Sequence, residues 1–179
     1  EAFPGPVEAG VTNLETGQAE YKEVTTEDKH FRLLQATCAM PLMFPVFHLD
    51  GKPYLDGGAA DAVPYRRAFE QGCDRVVVIL TKPRSFVRKP EKLLPLIQRR
   101  YREYPNFCRT MEERPERDNQ SRAELFRLEK EGKALVIAPN TLHGVGRIEH
   151  NVDKLRMLWA EGYQQGMENM EQIRSFMDR

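Results

Sequence analysis

The sequence predicts an α/β protein. Two apolar runs that do not alternate, Arg75–Thr81 with Val76-Val77-Val78-Ile79-Leu80 at its centre and Ala134-Leu135-Val136-Ile137-Ala138, read as strands apolar on both faces, the habit of parallel strands covered on both sides. Segments of helical composition lie before and between them, and from about Val152 apolar residues recur at helical spacing. Two hairpin signals near the start complete the mixture.

Val7–Asn13 and Ala19–Val24 flank Glu15-Thr16-Gly17-Gln18, a short Gly-containing connection that predicts the first hairpin. Thr26, followed by Glu27 and Asp28, offers an N-cap and an acidic first turn to a helix carrying Phe31, Leu33, Leu34 and Ala36; Pro41 and Pro45 end it. Val46-Phe47-His48-Leu49 and Pro53-Tyr54-Leu55 surround Asp50-Gly51, the dipeptide suited to the positive φ angles of a type I′ turn, so a second hairpin delivers the chain to Asp56-Gly57-Gly58. Tyr65–Gln71 reads as a helix with Gly72 at C′. Arg109–Arg122 reads as an exposed, salt-bridging connection, and the capping-box spacing Ser121-x-x-Glu124 as the start of a short helix with Leu125, Phe126 and Leu128. The last helix sets Leu155, Leu158, Trp159, Tyr163, Met167, Met170, Ile173 and Met177 on one stripe, expected in the core. Gly162 and Gly166, one turn apart, are expected to let a neighbouring helix approach closely.

Composition removes several classes of function. The 179 residues carry 27 Lys+Arg against 27 Asp+Glu, so no overall basic field exists to hold a nucleic acid. The longest apolar run, Val76–Leu80, is far short of the ~20 residues that cross a bilayer. The opening residues show no secretory signal, although the chain begins at Glu1 without Met. Cys38, Cys73 and Cys108 are odd in number and form no C-x-x-C pair, which predicts buried free thiols in a reducing, cytoplasmic setting. His30, His143 and His150 have neither metal-ligand spacing nor an acidic partner pattern; the Asp50-Gly51 turn sets His48 across from Pro53, away from Asp56. All four read as surface or satisfied side chains, without a zinc site. Gly144-Val145-Gly146 is too short for a dinucleotide fingerprint. Lys82–Arg102 concentrates eight Lys and Arg against Glu91 alone. The first reading of that stretch is a solvated face paired with the acidic remainder. The second, given its interleaved Phe86, Val87, Leu93, Leu94, Leu96, Ile97 and Tyr101, is a peripheral contact with an anionic membrane surface.

Asp56 closes a predicted strand and is followed by two glycines, so the backbone can turn sharply and leave the carboxylate facing a cleft. Taken alone, such an acid is better read as capping its own loop by accepting backbone N–H groups. Three blocks carry more: Leu34-Gln-Ala-Thr-Cys-Ala-Met-Pro-Leu-Met-Phe-Pro45; Tyr54-Leu-Asp-Gly-Gly58 with Asp61 and Pro64; and Arg75-Val-Val-Val-Ile-Leu-Thr-Lys82. Together they resemble the patatin-like phospholipases, in particular the bacterial members, with a looser similarity from Glu131-Gly-Lys-Ala-Leu-Val-Ile137 to Gly146-Arg147 and Tyr163.

The resemblance implies a three-layer α/β/α sheet. It makes residues 1–179 the C-terminal part of a patatin-like domain, with about 130–179 as a family-specific C-terminal extension. It also implies a serine lipid acyl hydrolase working through a Ser-Asp dyad, with Asp56 as the catalytic acid and Gly57 and Gly58 forming the turn of the motif. The family's nucleophile lies in a G-x-S-x-G elbow behind a glycine-rich oxyanion segment, both upstream of the Asp-Gly-Gly motif. Here Ser85, Ser121 and Ser175 all lie outside any such elbow. The expectation is therefore that a preceding segment supplies Ser and oxyanion donors, and that this segment alone is inactive. The implied chemistry acts on a lipid or other carboxylic ester and requires no metal or organic cofactor. The rival expectation is a non-catalytic module of the same fold, binding a membrane surface or a protein through residues 82–102.

Overall fold

The computed structural model describes residues 5–146 and 148–178. Glu1, and Arg147 of the looser similarity, lie outside the described residues. In chain order the elements are β1 (Glu8–Asn13), β2 (Ala19–Glu23), α1 (Arg32–Thr37), β3 (Phe47–Leu49), β4 (Lys52–Asp56), a 3₁₀ turn (Gly57–Ala59), α2 (Tyr65–Glu70), β5 (Val76–Ile79), α3 (Leu94–Arg100), α4 (Pro105–Lys130), β6 (Ala134–Ile137), α5 (Val152–Glu168) and α6 (Met170–Met177). The fold is α/β, as the sequence predicts. The chain forms two compact units, one made of the residues up to Pro64 with Arg88–Gln120, the other of Tyr65–Val87 with the residues from Ser121 onward.

The first unit is built on an antiparallel sheet of order β2-β1-β4-β3. Both predicted hairpins form. In the second, Asp50 (φ 51°) and Gly51 (φ 76°) take the two positive angles a type I′ turn requires. One side of the sheet packs Val11 and Tyr54 against Leu33 and Ala36 of α1. A second cluster joins Leu14 and Leu55 to Ile97, Tyr101, Phe107 and Met111, with the Tyr101 and Phe107 rings edge to face at 5.2 Å. α1 begins later than expected: Asp28 stays outside the helix, where its carboxylate accepts from the backbone N–H groups of Arg32 and Leu33, both at 2.9 Å. The acid caps the helix from an outside turn instead of occupying its first turn.

The largest correction concerns Arg109–Arg122, which is not an exposed connection but the middle of the 26-residue helix α4. Its inward face runs through Phe107, Met111, Arg114, Asp118, Arg122 and Leu125 at helical spacing, and the three apolar residues lie at the ends while the three in the middle are charged. A buried face written in Arg and Asp gives no hydrophobic period, and Pro115 inside the helix hides it further. Ser121 and Glu124 accordingly do not cap a helix start. Within the second unit, Ser121 offers its backbone carbonyl to the Tyr65 hydroxyl and its side-chain oxygen to Arg66, while Glu124 accepts from both residues.

In the second unit β5 and β6 pair in parallel, Val76 opposite Ala134 and Ile79 opposite Ile137, as their apolar runs predict. Ile79 is 75% exposed. The final helix is two helices, broken at Asn169, and its stripe is not core: Trp159 is 71% exposed, stacked on an exposed Tyr163, and Leu155, Met167, Met170 and Met177 are exposed as well. Among the described residues, a methyl group at Gly162 or Gly166 would meet nothing within 4 Å, so neither serves a close helix contact there. Helical spacing reports which residues share a face; it does not report that the face is covered. The cysteines also depart from expectation, since Cys38 and Cys73 are exposed and Cys108 is half-buried.

Candidate active site

Asp56 is the last residue of β4 and sits opposite Val11 of β1. Its N–H donates to Ala39 O at 3.0 Å, and its carbonyl accepts from the Thr12 hydroxyl at 2.8 Å. The carboxylate is half-buried; Oδ1 accepts the Gly58 N–H at 2.8 Å and so caps the 3₁₀ turn. Among the described residues Oδ2 carries no hydrogen bond. One oxygen thus fixes the side chain, and the other is left without that role.

Glycine is required at position 57 for space. A Cβ there would lie 2.2 Å from Gly10 O and 2.5 Å from Gly10 C, inside the backbone of β1. Neither Gly57 nor Gly58 has a positive φ. The Thr12 hydroxyl ties both ends of the turn, donating to Asp56 O and accepting from Ala60 N–H at 3.1 Å. Asp61, the other acid of this loop, is fully engaged: Oδ2 accepts the Tyr21 hydroxyl at 2.6 Å and Oδ1 the Val63 N–H at 3.2 Å.

A group that the sequence did not reveal lies on α4 beside this turn. Arg117 donates to Ala59 O at 2.7 Å and, from both terminal nitrogens, to Thr110 O at 3.2 Å. Asp118, 6% exposed, pairs with Arg88 and, at 3.6 Å, with Arg114. Burial pushes the Asp118 carboxyl up against the pull of the three arginines, and pulls Arg117 down against Asp118, Glu113 and Asp61. The only sequence signal for the group is the spacing of Arg114, Asp118 and Arg122, one helical face at i, i+4, i+8.

Ser85 lies in the loop after β5, Ser121 within α4 and Ser175 within α6, none at a strand-to-helix elbow. His48 is exposed and opposite Pro53 as the turn predicts. His143, expected to lack an acidic partner, hydrogen-bonds Glu161 through Nε2; the pair meets across 18 residues of sequence, a separation no local pattern encodes. No three His, Cys, Asp or Glu side chains among the described residues are grouped to hold a metal ion. In the basic stretch, Arg84 binds Glu129 and Val136 O, and Arg88 binds Asp118. Lys89, Lys92, Arg99, Arg100 and Arg102 are exposed, as are Val87, Leu93 and Leu96, whereas Ile97 and Tyr101 are buried.

Comparison with known families divides the chain. Residues 6–69 match the patatin-like phospholipase family, a stretch that includes β1 to β4 and the Asp56 turn. Residues 104–178 match a domain of unknown function, DUF6363, which takes in α4 with Arg114, Arg117 and Asp118. No curated protein matches the chain.

Proposed function

We propose that this chain supplies the general base of a lipid acyl hydrolase that works through a Ser-Asp dyad. The observation that carries the reading is the Asp56 carboxylate, fixed through Oδ1 and open at Oδ2, at a strand end within the patatin-like residues 6–69. Patatin-like phospholipases are hydrolases of lipid esters. In the proposed reaction, Asp56 takes the hydroxyl proton of a serine from a preceding segment as that oxygen attacks the ester carbonyl. The tetrahedral intermediate collapses with Asp56 returning the proton to the departing alcohol, leaving an acyl-enzyme. A water molecule then gives its proton to the same carboxylate and attacks the acyl carbon; the free acid leaves and the serine is restored. Backbone N–H donors for the oxyanion belong to the preceding segment, each worth ~3 kcal/mol. The exposure of Ile79, on a strand apolar on both faces, supports the view that further sequence completes the fold. The 179-residue segment alone is inactive on this reading.

The test is turnover of p-nitrophenyl butyrate by the full-length protein. Asp56→Asn lowers kcat by about 10²–10⁴-fold, the usual contribution of a general base. Near-normal turnover would refute the assignment.

A second reading gives the basic stretch a role at the membrane, and it is favoured by five exposed cations, Lys89, Lys92, Arg99, Arg100 and Arg102, beside exposed Val87, Leu93 and Leu96. Each cation near an anionic surface contributes ~1 kcal/mol. Sedimentation with phosphatidylserine vesicles then weakens as salt is added. Absent or salt-insensitive binding would overturn it.

A further inference from the structure

We propose that Arg117, anchored on Thr110 O, is a positioning residue for Asp56, so that the DUF6363-matched helix α4 holds the catalytic turn of the patatin-like part. The inference rests on the proposed role of Asp56. A single turn of 3₁₀ helix leaves its last carbonyls without helical partners, and Ala59, which ends the turn, is 1% exposed. Its carbonyl needs a donor from elsewhere. Arg117 supplies it at 2.7 Å, a charge-assisted bond from a different element. The same guanidinium is anchored on its own helix by two bonds to Thr110 O.

Arg114 of the same helix lies beside the turn. A Cβ built on Gly58 would be 3.1 Å from Asp56 Oδ1 and 3.7 Å from Arg114 Nη2, which places carboxylate and guanidinium on either side of one small space. Arg114 is 13% exposed and is held in place by Asp118, itself paired with Arg88 on the other side. The turn is thereby fixed at three points: Thr12 at its start, the Gly58 N–H on Oδ1 at its middle, and Arg117 at its end. Thr12 and Gly58 lie in the patatin-like match; Arg117 comes from α4. Lysine keeps the charge at 117 but has no planar fork able to reach Ala59 O and Thr110 O together.

The experiment compares Arg117→Lys, Arg117→Met and Asp56→Asn in the full-length protein, with p-nitrophenyl butyrate turnover, thermal melting and amide hydrogen exchange as readouts. For Arg117→Lys, kcat falls about 30–100-fold with KM within about twofold, as expected for a small displacement of a reacting group. Its melting temperature stays near wild type, while exchange at Gly58 and Ala60 accelerates and exchange at Val11 and Tyr21 does not. Arg117→Met shows at least the same loss in kcat, and if it does not fold, Arg117→Lys decides. Wild-type kcat in folded Arg117→Lys, with Asp56→Asn inactive, overturns the positioning role and leaves the dyad standing. A rise in KM at constant kcat, or faster exchange spread over the whole β1–β2 hairpin, overturns it as well. Normal turnover by Asp56→Asn removes the dyad and this inference with it.

Discussion

Replacing Gly57 with alanine isolates the backbone contact on which the Asp56 turn depends. The new methyl carbon would sit 2.2 Å from Gly10 O, 2.5 Å from Gly10 C and 3.1 Å from Val11 N, all backbone atoms of β1. Ordinary contact between such atoms is about 3.5 Å, so β1 and the turn must separate by roughly 1 Å. Backbone cannot rotate out of the way as a side chain can. Forced overpacking of this kind costs about 1–3 kcal/mol. The separation also strains the Thr12 bond to Asp56 O, adding about 1 kcal/mol. A total near 3 kcal/mol corresponds to a fall in Tm of about 6–12 °C for a chain of this length. Two other glycines calibrate the result. At Gly58 the methyl meets the tip of the Asp56 carboxylate at 3.1 Å, which can yield slightly; at Gly51 it meets nothing within 4 Å, and only the left-handed φ of 76° opposes it, at about 1 kcal/mol. Thermal and urea unfolding followed by far-UV circular dichroism should rank Gly57→Ala well below the other two. A Gly57→Ala protein within about 1 kcal/mol of wild type, or no worse than Gly51→Ala, would refute the close-approach argument.

Three other outcomes follow from contacts elsewhere. Burial pushes the Glu20 carboxyl up, but hydrogen bonds from Tyr54 and Asn13, with Lys52 and Lys22 nearby, outweigh it and hold the group below 4.5. Its stabilisation is therefore complete above 4.5 and is lost as pH falls through the lowered value; Tyr54→Phe should flatten that acid-side loss in a urea-denaturation series and cost about 1 kcal/mol at neutral pH. Arg84→Ala removes the bonds to Glu129 and to Val136 O, and β6 should lose about 1 kcal/mol of local stability, read as faster amide exchange at Val136. Trp159 should emit as a solvated indole and be quenched readily by acrylamide in the 179-residue chain, whereas a blue-shifted, protected emission would contradict its exposed position.

Local chemistry was legible in the sequence where it is decided by few neighbours. Asp50-Gly51 dictates its turn because only those dihedrals suit the residues, and the unbroken apolar run of Val76–Ile79 dictates a parallel partner, found in Ala134–Ile137. The sharp turn after Asp56 was equally visible, although the reason for glycine at 57 was not, because Gly10 lies 47 residues away in sequence. α4 was illegible for a different cause: its buried face pairs Asp118 and Arg122 with partners outside the helix, and Arg114 with Asp118 along it, and a charge pattern reads as solvated unless those partners are known. The α5 and α6 stripe failed in the opposite direction, since an apolar period fixes a face without fixing its cover.

Fluorophosphonate labelling of the full-length protein tests the Ser-Asp reading most directly, because the probe reports an activated serine without reference to the natural ester. The account predicts stoichiometric labelling of one serine upstream of this chain, abolished by Asp56→Asn in a protein that melts as wild type. Undiminished labelling of Asp56→Asn, or labelling of Ser85, Ser121 or Ser175 within the chain, would contradict it.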